Sequence, residues 1–244
     1  MKHEWIETHT TLLLALILLV ISIGGLVEIV PLFFIEQTVE NIIGIRPYTP
    51  LELFGRDIYQ REGCHLCHSQ MIRPLQEEWQ RYGHYSLAAE SQFDHPFLWG
   101  SRRSGPDLAR IGGKYSNAWH VQHLTAPRTL IPTSRMPNYP WLKQNPLAVA
   151  DVTQRLKTLR QIGVPYSEQP DEYAQNVTRF GEENAKLLDI ARSQENLFAQ
   201  AQAGNHDGDQ SRLTEMDALI AYLQMLGTLV DFKKYDEEHF ATFR

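Results

Sequence analysis

The pentapeptide Cys64-His65-Leu66-Cys67-His68 constrains this chain more than any other feature. Cys-x-x-Cys-His is the pattern that attaches a c-type haem. The two thiols can add to the haem vinyl groups, and a histidine directly after the second cysteine is delivered to the iron as an axial ligand. The chain has 2 cysteines in all, so no disulfide framework competes for them. A redox dithiol has no need of the trailing histidine, and a structural zinc site wants a second, regularly spaced cluster of Cys or His. The sequence lacks such a cluster and repeats the haem pattern nowhere else, so the reading is one covalently attached haem c per chain.

The second constraint is a run of apolar residues from Thr10 to Ile35, TTLLLALILLVISIGGLVEIVPLFFI, with Glu28 as its only ionisable residue. As a helix it reaches roughly 39 Å, enough to span a hydrocarbon core of roughly 30 Å with some tilt. A signal peptide would have a shorter apolar core leading into small residues at a cleavage site. The expectation is an uncleaved single-pass anchor in the lipid bilayer. Lys2 precedes the span and no Lys or Arg follows it before Arg46, which places the N-terminus inside. Covalent c-haem assembly belongs to the outer side of the bacterial cytoplasmic membrane, so the remainder is expected in the periplasm.

With 244 residues, removing the anchor leaves one medium domain, or a small one with insertions. A hydrophobic content of 43% argues for a folded ectodomain. A formal charge of −6 without a basic cluster excludes nucleic acid as a partner. The expected division is an anchor over 1–40, a connector over 41–50, and a haem domain over 51–244 with insertions near 70–103 and 143–212.

Two amphipathic segments bracket the domain. Leu51 to Glu62 carries Leu53, Phe54 and Ile58 at helical spacing and ends at Gly63. Leu213 to Leu226 has Thr214 as N-cap, apolar Leu219, Ile220, Leu223 and Leu226, and Gly227 as a stop. The first resembles the opening helix of class I cytochromes c, where a glycine and an aromatic four residues later let the terminal helices cross closely. Gly55 and Tyr59 would fill those places, with Tyr222 facing the crossing.

The sixth iron ligand separates electron transfer from small-molecule chemistry. Met71 is too close in sequence to His68, and Met216 and Met225 belong to the last helix, which leaves Met136. It lies in IPTSRMPNYP, whose prolines exclude a regular helix and stiffen an extended loop. Among the rivals His84, His95, His120 and His123, the last pair is expected on one face of a helix from Asn117 to Thr125, at the surface or hydrogen-bonded. Ser104-Gly105-Pro106-Asp107-Leu108 resembles the Gly-Pro-x-Leu loop of class I cytochromes. In that loop the proline carbonyl accepts from the haem histidine, so Pro106 would orient His68. Arg102 and Arg103 are candidate partners for the haem propionates.

Taken together, the anchor, GRDIYQREGCHLCHSQMIRP, YGHYSLAAESQFDHPFLWGSRRSGPDLARIGGKYSNAWHVQHL and PTSRMPNYPWL closely resemble subunit II of cbb3-type cytochrome c oxidases, the membrane-anchored monohaem cytochrome c subunit. The resemblance runs through Leu142. It implies an all-α class I cytochrome c domain on one transmembrane helix, acting as an electron relay in a proton-pumping terminal oxidase. Its partners would be the catalytic haem-copper subunit and a dihaem cytochrome c subunit, and the chain itself would be non-catalytic. It also implies attachment through Cys64 and Cys67, with His68 and Met136 as axial ligands. The alternatives are the anchored cytochrome subunit of a nitric oxide reductase, against which the long aromatic insertion (Trp79, Tyr82, Tyr85, Phe93, Phe97, Trp99) argues, and a haem-based gas sensor, which needs a vacant sixth site. Beyond Met136, Pro146 to Gly163 and Asp171 to Ala203 are expected as solvated helical segments, and Gly204 to Asp209 as a turn.

Overall fold

Helix α2 (Thr10–Leu32) buries none of its residues in the computed structural model, which describes residues 3–32, 39–40 and 42–235. It is apolar on every side, with a mean hydropathy of 2.8, so no single stripe faces a protein core and lipid is the solvent that suits it. Its 23 residues extend roughly 35 Å. A short helix α1 (His3–Thr8) precedes it. The expected end of the span at residues 33–35, and Asn41 at the head of the connector, lie outside the described residues.

The ectodomain is helical, and among the described residues no strand forms beyond two isolated bridges, Pro146 with Thr214 and Ser167 with Asp189. Helix α3 (Pro50–Arg61) starts with proline at N1, where its missing N–H costs nothing. The Glu52 carboxylate turns back to accept from the Thr49 N–H at 2.8 Å and is held by Arg46 at 2.7 Å. Helix α12 (Glu215–Met225) starts from Thr214, whose hydroxyl accepts from the Asp217 N–H while the Asp217 carboxylate accepts from the Thr214 N–H at 3.1 Å. This is a reciprocal cap. The helix stops before Gly227, where φ is +76°.

These two helices cross at contact distance. A methyl placed on Gly55 would meet the Ala218 carbonyl oxygen at 2.0 Å and the Tyr222 Cβ at 2.6 Å, so only glycine permits the approach. The Tyr59 and Tyr222 rings pack at 5.5 Å, and the Tyr48 ring meets Tyr222 edge-on at 5.8 Å. Beneath them Arg56 and Asp94 form a buried ion pair at 3.1 Å, and Tyr48 donates to the same carboxylate at 2.6 Å. Asp94 is pushed up by burial and held back by Arg56.

Between them run α4 (Cys64–Cys67), α5 (Gln76–Tyr82), α6 (Asn117–Thr125), α7 (Pro127–Leu130), α8 (Val152–Gln161), α9 (Pro170–Phe180), α10 (Glu182–Leu187) and α11 (Ser193–Gly204). The expectation of two solvated segments after Met136 needs correction. The second is three helices, broken at Gly181 with φ +84° and again after Leu187. Nor is the excursion merely solvated: Leu156, Leu188, Ile190 and Leu197 are buried in the same cluster as Leu51, Leu53 and Leu219. Arg155 binds Asp57 of α3 through both carboxylate oxygens, and the Tyr166 hydroxyl donates to the Tyr48 carbonyl at 2.8 Å. The turn at Asn205–Asp209 is pinned to the α12 cap by the Asp207 N–H, which donates to Asp217 at 2.9 Å.

Candidate functional site

Two residues, Glu62 and Gly63, separate α3 from the cysteine-bearing turn. Gly63, with φ +71°, reverses the chain after Glu62, and α4 then places Cys64 and Cys67 at the two ends of a single helical turn. Cys64 is half-buried and burial pushes its thiol up to about 12, while Cys67 is exposed. His68 leaves the turn in extended conformation.

Its imidazole lies against the loop that follows residue 104. His68 Nδ1 is 2.8 Å from the Pro106 carbonyl oxygen. A carbonyl only accepts, so Nδ1 carries the proton and Nε2 is left as the basic nitrogen. A methyl on Gly105 would sit 2.2 Å from His68 Cε1, so the loop can lie on the ring only because position 105 has no side chain. The Gly105 N–H donates to the Cys67 carbonyl at 3.0 Å, and the Leu108 N–H to the Ser69 carbonyl at 2.9 Å.

Arg103, expected beside a propionate, is engaged elsewhere. Its Nε donates to Ser69 Oγ at 2.6 Å and its Nη2 reaches Glu78 at 2.8 Å and Asp107 at 3.3 Å. The Tyr82 ring lies 5.3 Å from the same guanidinium. Two carboxylates therefore hold this cation, and Arg103 holds the Glu78 carboxyl at about 2. Arg102 next to it is exposed. Sequence reasoning misses Ser69, Glu78 and Asp107. The available signal is a serine directly after the haem histidine and an acid directly after the loop proline.

Met136 is half-buried against the main apolar cluster, in a stretch without helix between Leu130 and Pro140. Its loop is tied to α6 by the Tyr139 N–H, which donates to the Leu124 carbonyl at 2.8 Å. The Tyr139 phenol is pushed up by burial and then by the thiols of Cys64 and Cys67. His120 and His123 do lie on α6 but not at its surface in water: His120 is buried, 3% exposed. His120 Nε2 and His123 Nδ1 have no hydrogen-bond partner. Aromatic rings replace hydrogen bonds here, Tyr115 and Trp119 stacking at 3.9 Å and Trp119 and His123 at 4.5 Å. Burial brings His120 down to about 4, and His123 is lowered by burial and then by the neighbouring His68.

The aromatic insertion divides by position. Phe93 packs into the core and against Phe180, whereas Phe97 and Trp99 stack at 4.4 Å on the surface. Their loop is bound to the motif, since the Gln70 N–H donates to the Trp99 carbonyl at 2.7 Å.

Two thiols on one turn, an imidazole whose outer nitrogen is free, a glycine that admits the loop to the ring and a thioether held among prolines form a donor set suited to haem iron and haem vinyl groups. An all-α domain built on two crossing terminal helices, with a Cys-x-x-Cys-His turn whose histidine meets a proline carbonyl, defines the class of monohaem cytochromes. Comparison with known families agrees: the profile described as cytochrome c oxidase, mono-heme subunit/FixO matches residues 3–230. The chain belongs to that family and is subunit II, the one-haem subunit, of a cbb3-type cytochrome c oxidase, membrane-anchored and working with other oxidase subunits. This places it with oxygen reductases rather than with the nitric oxide reductases that share its layout. No curated protein matches the chain.

Proposed function

We propose that this subunit relays single electrons toward the catalytic subunit that reduces oxygen to water. Cys64 and Cys67 would hold the haem through thioether bonds, His68 Nε2 and the Met136 sulfur would bind the iron, and Pro106 keeps the imidazole oriented. The bound haem supplies a one-electron Fe(III)/Fe(II) couple, and no substrate reaches the metal. The contact of His68 Nδ1 with the Pro106 oxygen at 2.8 Å carries this reading, because it occupies one ring nitrogen and leaves Nε2 as the basic nitrogen for iron. The Met136 thioether would be the second protein donor to the iron and would exclude exogenous ligands. The thioether also favours the reduced state relative to a second imidazole. Arg102, exposed in this loop, would meet a propionate, while Arg103 supports the proximal loop.

In this reading α2 crosses the bacterial inner membrane with its N-terminus in the cytoplasm and the haem domain in the periplasm. The immediate partners are the haem-copper subunit and a dihaem cytochrome c subunit. The chain carries no catalytic residue of its own. The test is to expose the reduced full-length chain, purified in detergent, to carbon monoxide. The absorption spectrum is expected to stay unchanged, and a shifted Soret band would favour a gas-binding module.

A further inference from the structure

We propose that Asp107 is a positioning residue whose carboxylate holds the Pro106 carbonyl on His68 and so sets the reduction potential of the haem. The inference rests on the haem reading above and adds a residue to it. Pro106 is exposed and has no N–H of its own, so its carbonyl stays in place only if the neighbouring residues hold it. The Gly105 and Leu108 N–H groups tie the loop backbone to Cys67 and Ser69, and Asp107 adds a side-chain hold with no exposed surface.

One carboxylate oxygen of Asp107 accepts from Ser69 Oγ at 2.6 Å and from the Met71 N–H at 3.0 Å, with Arg103 at 3.3 Å. The other accepts from the Ala109 N–H at 2.8 Å. The donors at 69 and 71 follow directly on the haem histidine, and the remaining two belong to the loop that carries Pro106. Together these bonds tie one side of the His68–Pro106 contact to the other. Ser69 is the hinge of the arrangement, since its hydroxyl donates to Asp107 and accepts from Arg103 Nε at 2.6 Å.

A firm Nδ1–H···O bond gives the imidazole more anionic character, which stabilises Fe(III) and lowers the potential. Loosening the clamp raises it. Removing the charge of Asp107 raises it as well, so a substitution that leaves every charge in place is needed to separate positioning from field.

The experiment compares Asp107→Asn, Ser69→Ala and Ser69→Thr with the wild type as full-length, haem-loaded chains. Three quantities are measured: haem staining, the midpoint potential, and solvent exchange of the His68 Nδ1 proton in the diamagnetic reduced protein. All are expected to stain. Asp107→Asn and Ser69→Ala should have raised potentials and exchange faster by roughly five- to tenfold, the loss of one ordinary hydrogen bond. Ser69→Thr, which keeps the hydroxyl, should return both toward wild type. A stained Ser69→Ala chain with wild-type potential and wild-type exchange overturns the inference, and the two serine variants decide it even where Asp107→Asn yields no holoprotein. An unstained wild-type chain would instead overturn the haem reading beneath it.

Discussion

Gly55 and Ala218 touch so closely that no side chain fits between them: a Cβ on Gly55 would lie 2.0 Å from the Ala218 carbonyl oxygen. The obstacle is helix backbone, which cannot swing aside. Gly55→Ala must therefore push α3 and α12 apart and break the packing of Tyr59 on Tyr222. The expected cost is about 2–3 kcal/mol or more of stability, at the upper end for overpacking, read as a lowered midpoint in denaturant titration. A wild-type midpoint would mean that the two helices already have slack at their crossing.

A pH dependence follows from His120. Burial brings it down to about 4 from 6.5, so between those values the unfolded chain binds a proton that the folded chain does not. Stability must then fall as pH drops from about 6.5 toward 4, by roughly 2–3 kcal/mol from this group. Urea titrations across that range should show a shallower fall in His120→Leu than in wild type. Parallel curves would mean that the imidazole is protonated in the folded protein.

Much of this architecture is legible in the chain because it rests on local signals. Thr214 with Asp217 marks a cap, Gly227 marks a stop, and Gly55 and Tyr59 stand one turn apart on a short amphipathic helix. The loop at Gly105-Pro106 is legible through its likeness to a known loop, and the structure brings it onto the His68 ring. Sequence alone does not reveal the partners of Arg103, because they are set by tertiary folding. Glu78 lies 25 positions away in sequence, and nothing local says that it will face the arginine. His120 is misplaced for a related reason, since polar character suggests surface while the Tyr115 and Trp119 rings enclose it. The burial of Leu156, Leu188 and Leu197 likewise depends on a surface of α3 that their own spacing cannot reveal.

Met136 is the proposed distal ligand. Met136→Ala should remove the sulfur-to-iron band of the oxidised protein near the red end of the spectrum and lower the midpoint potential, because the soft thioether favours Fe(II). Retention of both would direct the search for the ligand to the histidines, His120 and His123 of α6 among them.

The anchor should also serve assembly. A Cβ added to Gly24 or to Gly25 would meet nothing within 4 Å, and Glu28 lies one turn beyond Gly24 on the same helix. Small residues let a second helix approach, and a carboxyl in lipid is stabilised by facing protein. Replacing both glycines with Leu should leave membrane insertion and haem attachment intact and reduce recovery of the intact oxidase severalfold. Normal co-purification and oxygen consumption would show that the helix only tethers.

The proposed function depends on one haem bonded to this chain through Cys64 and Cys67. The direct measurement is the mass of the chain after denaturing separation of the purified oxidase, together with a haem stain of its band. The expected result is a stained band whose mass exceeds that of the polypeptide by one haem, and an unstained band of polypeptide mass in the Cys64→Ala, Cys67→Ala double variant. A wild-type chain at bare polypeptide mass, or a double variant that still stains, would contradict it.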